Sequence, residues 1–239
     1  MTYDWSYFDK IYCISTPEAY LRRSMVKQIA KKLDTKIIIK IFDRHPKGSN
    51  QGCGESHISI IKEAYKEGLQ RIIIVEDDIV LASLSPSILD EITQYLKNKE
   101  KWDIFYFGAV PDSRKKRCCT KREGRFYKIK SLCTHAYALN RSFMENYHDL
   151  CDTPYDFLVN PWDYIIRDNT DLHSYARFPT QFYQETGVNA PQILINIYLF
   201  LVQGYAYYIG VTTQDWTWII SIILLLWILI QKKKQKNIV

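Results

Sequence analysis

Three kinds of signal are missing from this 239-residue chain, and each absence removes a class of protein. No Gly-Lys-Ser or Gly-Lys-Thr tripeptide occurs, so the P-loop of Walker-type nucleotide triphosphatases is absent. The six cysteines include no C-x-x-C pair, which disfavours a zinc ribbon, and we expect them to be reduced and cytosolic. The first ten residues carry two aspartates and no apolar core, so we predict no secretory signal peptide.

Positive charge is also scarce outside the C-terminus. The formal net charge is +6, but residues 232–236 hold four lysines, which leaves only +2 on the rest of the chain. Nucleic-acid-binding proteins usually carry a basic face, so the sequence predicts no nucleic-acid partner. Residues 114–122 form a basic loop that we predict to be solvated, with phosphates or anionic lipid as the alternative contact.

The feature around which the chain is organised is the stretch 71–81. Residues 71–75, Arg-Ile-Ile-Ile-Val, predict a strand buried on both faces, as in parallel sheets covered by helices. Three carboxylates, Glu76, Asp77 and Asp78, follow at once. Adjacent carboxylates repel one another, so the cluster needs either a cation or a solvated turn. Alternation along a strand predicts that Glu76 and Asp78 project together while Asp77 points back.

These acids fall where ligands bind in open α/β sheets, outside the carboxyl ends of the strands. Hard oxygen donors at such a place suit Mg²⁺ or Mn²⁺ carrying a diphosphate. The sequence therefore predicts a metal–diphosphate site at Glu76 and Asp78, with a solvated turn as the alternative.

Strand and helix patterns alternate along the first half of the chain. Strands are predicted at 10–15, 36–42, 71–75 and 102–108, and helices from residue 16, at 56–67 and at 85–96. This order predicts an α/β fold with a mostly parallel sheet flanked by helices. The first helix has an apolar stripe that we expect to be buried, at Leu21, Met25, Ile29 and Leu33.

A glycine-containing loop, residues 43–54, is predicted before the second helix and is long enough to line a site. Gly52-Cys53-Gly54 would then lead into a helix N-terminus capped by Ser56, which could bind a phosphate or simply form a tight turn. His57, in the first helical turn, is either a hydrogen-bonded structural histidine or a functional one.

The regular alternation ends after residue 108. Short strands are predicted at 125–130 and 134–139, a helix at 142–150, a loop-rich stretch at 151–171 and an extended aromatic segment at 174–184. Asp156 and Asp163 are the candidate functional acids of the loop-rich stretch. Each follows a proline-containing turn sequence, so each could instead cap a turn.

Charge is nearly absent between Glu185 and Lys232. Residues 216–230 are almost continuously apolar, and residues 193–211 nearly so, which predicts a membrane hairpin or one span preceded by an interfacial helix. Two buried helices of a larger domain are the alternative. We thus predict a catalytic domain at 1–190 and a hydrophobic helical membrane segment with a basic tail at 191–239, with the catalytic domain in the cytosol.

Four motifs in order resemble those of glycosyltransferase family 25. They are Gly52-Cys53-x-x-Ser56-His57, Glu76-Asp77-Asp78, Trp102-Asp103 and Thr134-His135-Ala136-Tyr137. The family includes lipooligosaccharide galactosyltransferases and the collagen hydroxylysine galactosyltransferase domain, and the likeness runs from about Ile11 to Gln184. It implies a GT-A type, Rossmann-like fold, a nucleotide-sugar donor, usually UDP-galactose, a divalent metal (Mn²⁺ or Mg²⁺) and transfer with inversion.

The resemblance also assigns roles to residues of this chain. It implies metal binding by Glu76, Asp78 and His135, and donor binding by Ser56, His57 and Asp77. Ser15 is a further donor-binding candidate, because Ser15-Thr16 stands where the family usually has Asn-Leu after its first apolar run. Inversion requires a carboxylate base, for which the candidates are Asp163 and then Asp156. The acceptor would be a hydroxyl of a glycan, a lipid-linked glycan or a protein hydroxylysine.

Three other interpretations remain open. One is a catalytically inactive, membrane-anchored family member that acts as a binding or scaffold protein. Another is a nucleotidyltransferase, which would normally have a basic, glycine-rich loop where this chain has Ser15-Thr16-Pro17. The third concerns the metal: zinc could be held by Cys118, Cys119, Cys133 and His135.

Overall fold

The computed structural model describes residues 2–111, 119–150, 152 and 154–185. Its strands are β1 (Lys10–Ser15), β2 (Ile37–Ile41), β3 (Arg71–Glu76), β4 (Ile79–Leu81), β5 (Ile104–Pro111), β6 (Cys119–Glu123), β7 (Phe126–Ile129), β8 (Ser131–Asn140), β9 (Ser174–Arg177) and β10 (Phe182–Gln184). Its helices are α1 (Tyr20–Lys32), α2 (Ser49–Lys66), α3 (Pro86–Lys97), α4 (Arg141–Tyr147) and α5 (Trp162–Asp168).

One large central sheet, flanked by helices, organises the fold. Its strand order is β2-β1-β3-β8-β5-β9-β7-β6, and β10 pairs with β4 in a small second sheet. The predicted α/β class is confirmed, but the prediction of a mostly parallel sheet is wrong. Strand β1 is parallel to β2 and β3, whereas β8 lies antiparallel between β3 and β5. The reason is that the described chain between β5 and β8 consists of the strands β6 and β7, without the helical crossover that parallel pairing of β8 with β5 would need.

Strand β3 is buried on both faces, as predicted. Its side chains alternate between two apolar cores: Ile72 and Ile74 belong to one, Ile73 and Val75 to the other. Helices α2, α4 and α5 contribute to the first core, and α1 and α3 to the second. The acids that follow β3 are therefore carried by a strand that the surrounding layers hold in place.

The predicted buried stripe of α1 is partly wrong. The helix begins at Tyr20, and Leu21 is 65% and Met25 43% exposed, whereas Val26 and Leu33 are buried. Helix α1 packs against the edge strand β2, so the covered stripe consists of Val26, the partly buried Ile29 and Leu33, and the N-terminal half of the predicted stripe is exposed.

Helix α2 begins earlier than the sequence predicts. It starts at Ser49 after Gly48, so Gly52, Cys53 and Gly54 lie inside the helix and do not precede it. Both predicted interpretations of these glycines, a phosphate-binding helix N-terminus and a tight turn before the helix, are therefore wrong. Gly54 has a packing role instead: a Cβ there would lie 2.4 Å from Cγ of Phe157, so only glycine lets the helix lie against that ring.

No helix among residues 2–111, 119–150 and 154–185 is long and apolar enough to cross a bilayer. The predicted membrane segment 191–239 lies outside the described residues, as do residues 112–118 of the basic loop. Membrane attachment and the cytosolic side of the catalytic domain thus stay predictions from the sequence.

The close contact of Gly54 with Phe157 predicts that a larger residue at position 54 destabilises the fold. We expect Gly54→Ala to lower the free energy of unfolding by about 1–3 kcal/mol, because overpacking against Phe157 outweighs the better helix propensity of alanine. The measurement is urea unfolding followed by circular dichroism. Ser59→Ala, at an exposed position of the same helix, is the control and should change that free energy by less than about 0.5 kcal/mol. A Gly54→Ala variant more stable than the parent chain would contradict the contact.

Candidate functional site

A cleft of about 410 Å³ opens at the carboxyl ends of β1 and β3, beside the first turns of α2. All three acids of the turn after β3, Glu76, Asp77 and Asp78, line it. Among the other predicted site residues, Ser15 and Ser56 also line it. The sheet edge at which the sequence predicts the three acids thus forms a concave site.

Asp77 is the acid whose charge is compensated by protein groups. The Ser15 hydroxyl donates a hydrogen bond to Asp77 Oδ2 (2.6 Å), and Arg22 Nη1 lies 3.4 Å from Oδ1. Strand β3 ends at Glu76, so Asp77 belongs to the turn before β4 and also lines the cleft. The strand alternation that predicted Asp77 pointing away does not extend into this turn. The residue ties the end of β1 to the acidic turn.

Asp78 is the acid with the least compensation. Gln184 Nε2 donates to its Oδ2 (3.2 Å), while Oδ1 is buried and has no hydrogen-bond partner among the described residues. Burial, and next the charge of Glu76, raise the pKa of Asp78 to about 7. A buried carboxylate oxygen without a partner, beside a second carboxylate, is a place where a divalent cation fits.

Glu76 has the opposite electrostatic balance. Its Oε1 lies 3.4 Å from His57 Nε2, and its Oε2 accepts a hydrogen bond from Gln184 Nε2 (3.4 Å). Burial alone would raise the pKa of Glu76, but the hydrogen bond from His57, together with the charges of His57, His135 and Arg22, outweighs it and lowers the pKa. The pair therefore titrates in two steps, with Glu76 ionised first and Asp78 last.

His57 lies behind the cleft and does not line it. Its ring is fully buried and stacks on Trp162, with centroids 6.1 Å apart and planes at 21°. Its Nδ1 lies 2.9 Å from the Tyr137 hydroxyl, which accepts a hydrogen bond from Trp162 Nε1 (3.3 Å). The structure thus places His57 as a support for Glu76 and not against a ligand in the cleft.

His135, the predicted third metal ligand, is also fully buried. Burial lowers the pKa of its imidazole, and the ring lies so close to Gly108 that a Cβ there would be 2.1 Å from Nε2. Among the described residues, the three potential metal donors that lie within 4.8 Å of one another are Cys53, His57 and Glu76. The predicted set of Glu76, Asp78 and His135 is not brought together in this way.

The two candidate bases differ in their surroundings. Asp156 Oδ1 accepts a hydrogen bond from the Leu158 backbone N–H (3.0 Å), which is the turn-capping role that the sequence left open. Asp163 lies in the first turn of α5, within what was predicted as loop, and accepts a hydrogen bond from the Cys133 backbone N–H (3.2 Å). Its charge contributes to the raised pKa of Cys53, a residue that lines the cleft. Neither acid lines the cleft itself, and Asp163 is the one whose charge acts on a residue of the cleft wall.

Asp103, an acid of the Trp102-Asp103 motif, is structural. It is 2% exposed, and it accepts hydrogen bonds from the Ser142 hydroxyl (2.7 Å) and the His173 backbone N–H (2.8 Å). It thereby ties β5 to the start of α4 and to the segment before β9.

Sequence reasoning missed several residues of the cleft wall. They are Arg22, Phe42, Arg44 and His45. Three of them lie at or within the polar loop that was predicted to line a site, but nothing local distinguished them from solvated loop residues. Arg22 lies in α1, whose N-terminal turn was predicted to face the core through Leu21.

Comparisons with known proteins point to one family. The family model described as glycosyltransferase family 25 (LPS biosynthesis protein) matches residues 27–160, more than half of the chain. The match includes the acidic turn and His135 and ends before Asp163. No curated protein matches the chain.

Several solved structures share a distant likeness with the chain. A197 from STIV has a TM-score of 0.46 at 10% identity, covering 73% of this chain and 83% of that one. A glycosyltransferase involved in the glycosylation of the major capsid of PBCV-1 has a TM-score of 0.44 at 10% identity, covering 81% and 100%. Mannose-1-phosphate geranyltransferase from Thermus thermophilus has a TM-score of 0.42 at 11% identity, covering 74% and 76%. At these TM-scores the likenesses carry no inference about function.

The raised pKa of Asp78 makes a prediction about stability and pH. The carboxyl group of Asp78 has a pKa of about 7 in the folded chain, against an ordinary value of 3.8. Between these pH values it binds more protons in the folded chain than in the unfolded chain. The free energy of unfolding therefore falls as the pH rises from about 4 to 7. Relative to Asp78→Asn, the free energy of unfolding of the parent chain should fall by on the order of 3 kcal/mol from about pH 4 to pH 7.

The measurement is urea unfolding at a series of pH values in the presence of a chelator. Asp90→Asn, an exposed acid on α3, is the control and should keep the pH dependence of the parent chain. Equal pH dependence of the Asp78→Asn variant and the parent would contradict the raised pKa.

Proposed function

The chain belongs to glycosyltransferase family 25, and from this premise we propose that it transfers a hexose, galactose, from UDP-galactose to an acceptor hydroxyl. The observation that carries the proposal is the pair of acids in the cleft, with one buried oxygen of Asp78 left without a partner among the described residues. The α/β architecture, with its large central sheet flanked by helices, supports the GT-A type fold that the family implies.

Glu76 and Asp78 would hold the metal, Mn²⁺ or Mg²⁺, because they offer carboxylate oxygens in the cleft at the end of β3. Such an ion, when bound, neutralises charge on the donor diphosphate and so makes the nucleotide a better leaving group. Arg22 and Arg44 line the same cleft and would add positive charge toward the phosphates. The partly buried ring of Phe42 offers an apolar surface for the base of the nucleotide.

Other chain groups would shape the donor pocket. Ser15 holds Asp77 in position through its 2.6 Å hydrogen bond, so the remaining acceptor capacity of Asp77 faces the cleft. The Ser56 hydroxyl donates to the Gly52 carbonyl (2.6 Å) and retains lone pairs that could accept a hydrogen bond from the donor. His57, behind Glu76, would keep that carboxylate ionised and oriented.

Inversion at the sugar carbon requires a base on the face opposite the leaving nucleotide. We assign this role to Asp163, because its charge acts on Cys53 of the cleft wall, whereas Asp156 caps a turn. The Cys133 N–H bond orients one carboxylate oxygen of Asp163 and leaves the other to take the proton of the acceptor hydroxyl. The acceptor would be a glycan, a lipid-linked glycan or a hydroxylysine, and membrane attachment through residues 191–239 would favour a lipid-linked one.

The proposal predicts the behaviour of the acidic pair in a donor-hydrolysis assay. Purified full-length protein should hydrolyse UDP-galactose faster than other nucleotide sugars, and only when Mn²⁺ or Mg²⁺ is present. Asp78→Ala should lower this turnover roughly 100-fold or more without unfolding the domain, since it removes a metal-binding oxygen. Asp90→Ala, on the exposed face of α3, should retain full turnover.

Full turnover of the Asp78→Ala variant would refute the metal assignment. A folded parent chain that turns over no member of the nucleotide-sugar panel, with or without a metal, would favour the inactive scaffold interpretation.

The assignment of the base makes a separate prediction. Asp163→Asn should lower kcat for transfer about 100-fold or more while the KM for the donor changes little, because a base acts in the transition state and not in donor binding. Asp156→Asn is the matched control and should keep kcat, since an asparagine side chain still accepts the Leu158 hydrogen bond. The measurement is steady-state transfer kinetics for both variants. A large loss of kcat in Asp156→Asn together with a normal Asp163→Asn would reverse the assignment.

A further inference from the structure

A sulfur, a nitrogen and an oxygen donor meet where α2 passes the end of β3. Cys53 and His57 lie four residues apart on the same side of α2, and Glu76 is the last residue of β3. One donor atom from each, a thiol sulfur, an imidazole nitrogen and a carboxylate oxygen, lies within 4.8 Å of the other two. We propose that Cys53, His57 and Glu76 form a binding site for Zn²⁺, which shares Glu76 with the pair of carboxylates assigned to Mn²⁺ or Mg²⁺ and differs from it by a sulfur and a nitrogen donor.

The donor types favour zinc over the ions that oxygen-only sites bind. Zinc accepts thiolate, imidazole and carboxylate ligands, whereas Mg²⁺ and Mn²⁺ prefer carboxylate, carbonyl and water oxygens. Three protein ligands leave the fourth position of a tetrahedral site open. Cys53 and Glu76 line the cleft, and His57 lies fully buried behind them, so that position would face the cleft and the ion could enter from it.

The backbone and the packing hold these donors in place. Residues four apart on a helix project from the same face, so α2 presents Cys53 and His57 together. The His57 ring is fixed by its stacking on Trp162 and by its contact with the Tyr137 hydroxyl. A ligating histidine characteristically has an outer hydrogen-bond partner of this kind on its second nitrogen.

The Tyr137 hydroxyl is compatible with both the metal-free and the metal-bound histidine. Without an ion, Tyr137 can donate to His57 Nδ1, and the ring proton on Nε2 then points to Glu76. With zinc on Nε2, the ring proton moves to Nδ1 and is donated to the Tyr137 oxygen, which already accepts a hydrogen bond from Trp162 and has a second lone pair. The ring itself does not have to move.

The surrounding charges favour a cation at this place. Glu76, Asp163 and Asp78 all act on the Cys53 thiol with negative charge. A bound divalent cation offsets those negative charges. Binding then replaces the S–H bond of Cys53 by a sulfur–zinc bond and releases the thiol proton to solvent, without any change in oxidation state.

Cobalt provides the test, because Co²⁺ occupies zinc sites and its bond to a thiolate gives a charge-transfer absorption band. Full-length, reduced, metal-free protein should develop this band with an endpoint of one Co²⁺ per chain, and Zn²⁺ but not Mg²⁺ should remove it. Cys53→Ser should abolish the band, and His57→Gln should weaken the apparent affinity tenfold or more, on the order seen when zinc sites lose a supporting group. Absence of the band in the parent chain would overturn the proposal.

Cys133→Ser is the matched control, because Cys133 is another partly buried free thiol near Asp163. It should keep the band. Loss of the band in Cys133→Ser with retention in Cys53→Ser would overturn the proposal and assign the ion to the alternative group of Cys118, Cys119, Cys133 and His135.

X-ray absorption of the zinc-loaded parent chain gives a readout that does not depend on a variant folding: one sulfur with nitrogen and oxygen neighbours supports the site, and several sulfurs refute it.

Discussion

Repulsion between carboxylates at the end of a buried strand is the constraint on which the rest of this site depends. Strand β3 lies between two apolar cores and cannot turn its final residues toward bulk water, so Glu76 and Asp78 are held close together at the cleft. The three carboxylates differ in the groups that surround them and offset this repulsion. Asp77 is paired with Ser15 and Arg22, Glu76 is kept ionised by His57, and Asp78 is left with a raised pKa.

The elements around the acids follow from that constraint. Helix α2 brings His57 against Glu76, and Gly54 lets the same helix lie against the ring of Phe157. Strand β10 brings Gln184, whose side-chain amide contacts the carboxylates of both Glu76 and Asp78. Helix α5 then supplies two different groups to the same region: Trp162, which stacks on His57, and Asp163, which accepts a hydrogen bond from the Cys133 backbone N–H. The site is therefore assembled by contacts among the central sheet, the small sheet of β4 and β10, and the helical layer that contains α2 and α5.

Local patterns predicted some of these elements and failed on others. The run from Arg71 to Val75 and its following acids was predictable, because hydrophobic content and charge repulsion are properties of adjacent residues. The antiparallel insertion of β8 was not, since strand order depends on which distant segments pair. The same limit explains the exposure of Leu21 and Met25: the apolar spacing of α1 indicates a helix, but the edge position of β2 decides which stripe is covered.

The amino-acid sequence by itself determined the α/β class, the acidic turn after a core strand and the motifs that resemble glycosyltransferase family 25, all of which are read over short stretches of chain. Only the tertiary structure decided which residues meet those acids. His57 and Gln184 reach Glu76 across sequence separations of 19 and 108 residues, and Tyr137 reaches His57 across 80. Such contacts depend on strand register and on the face that a helix turns toward the sheet, and neither is encoded in a local pattern.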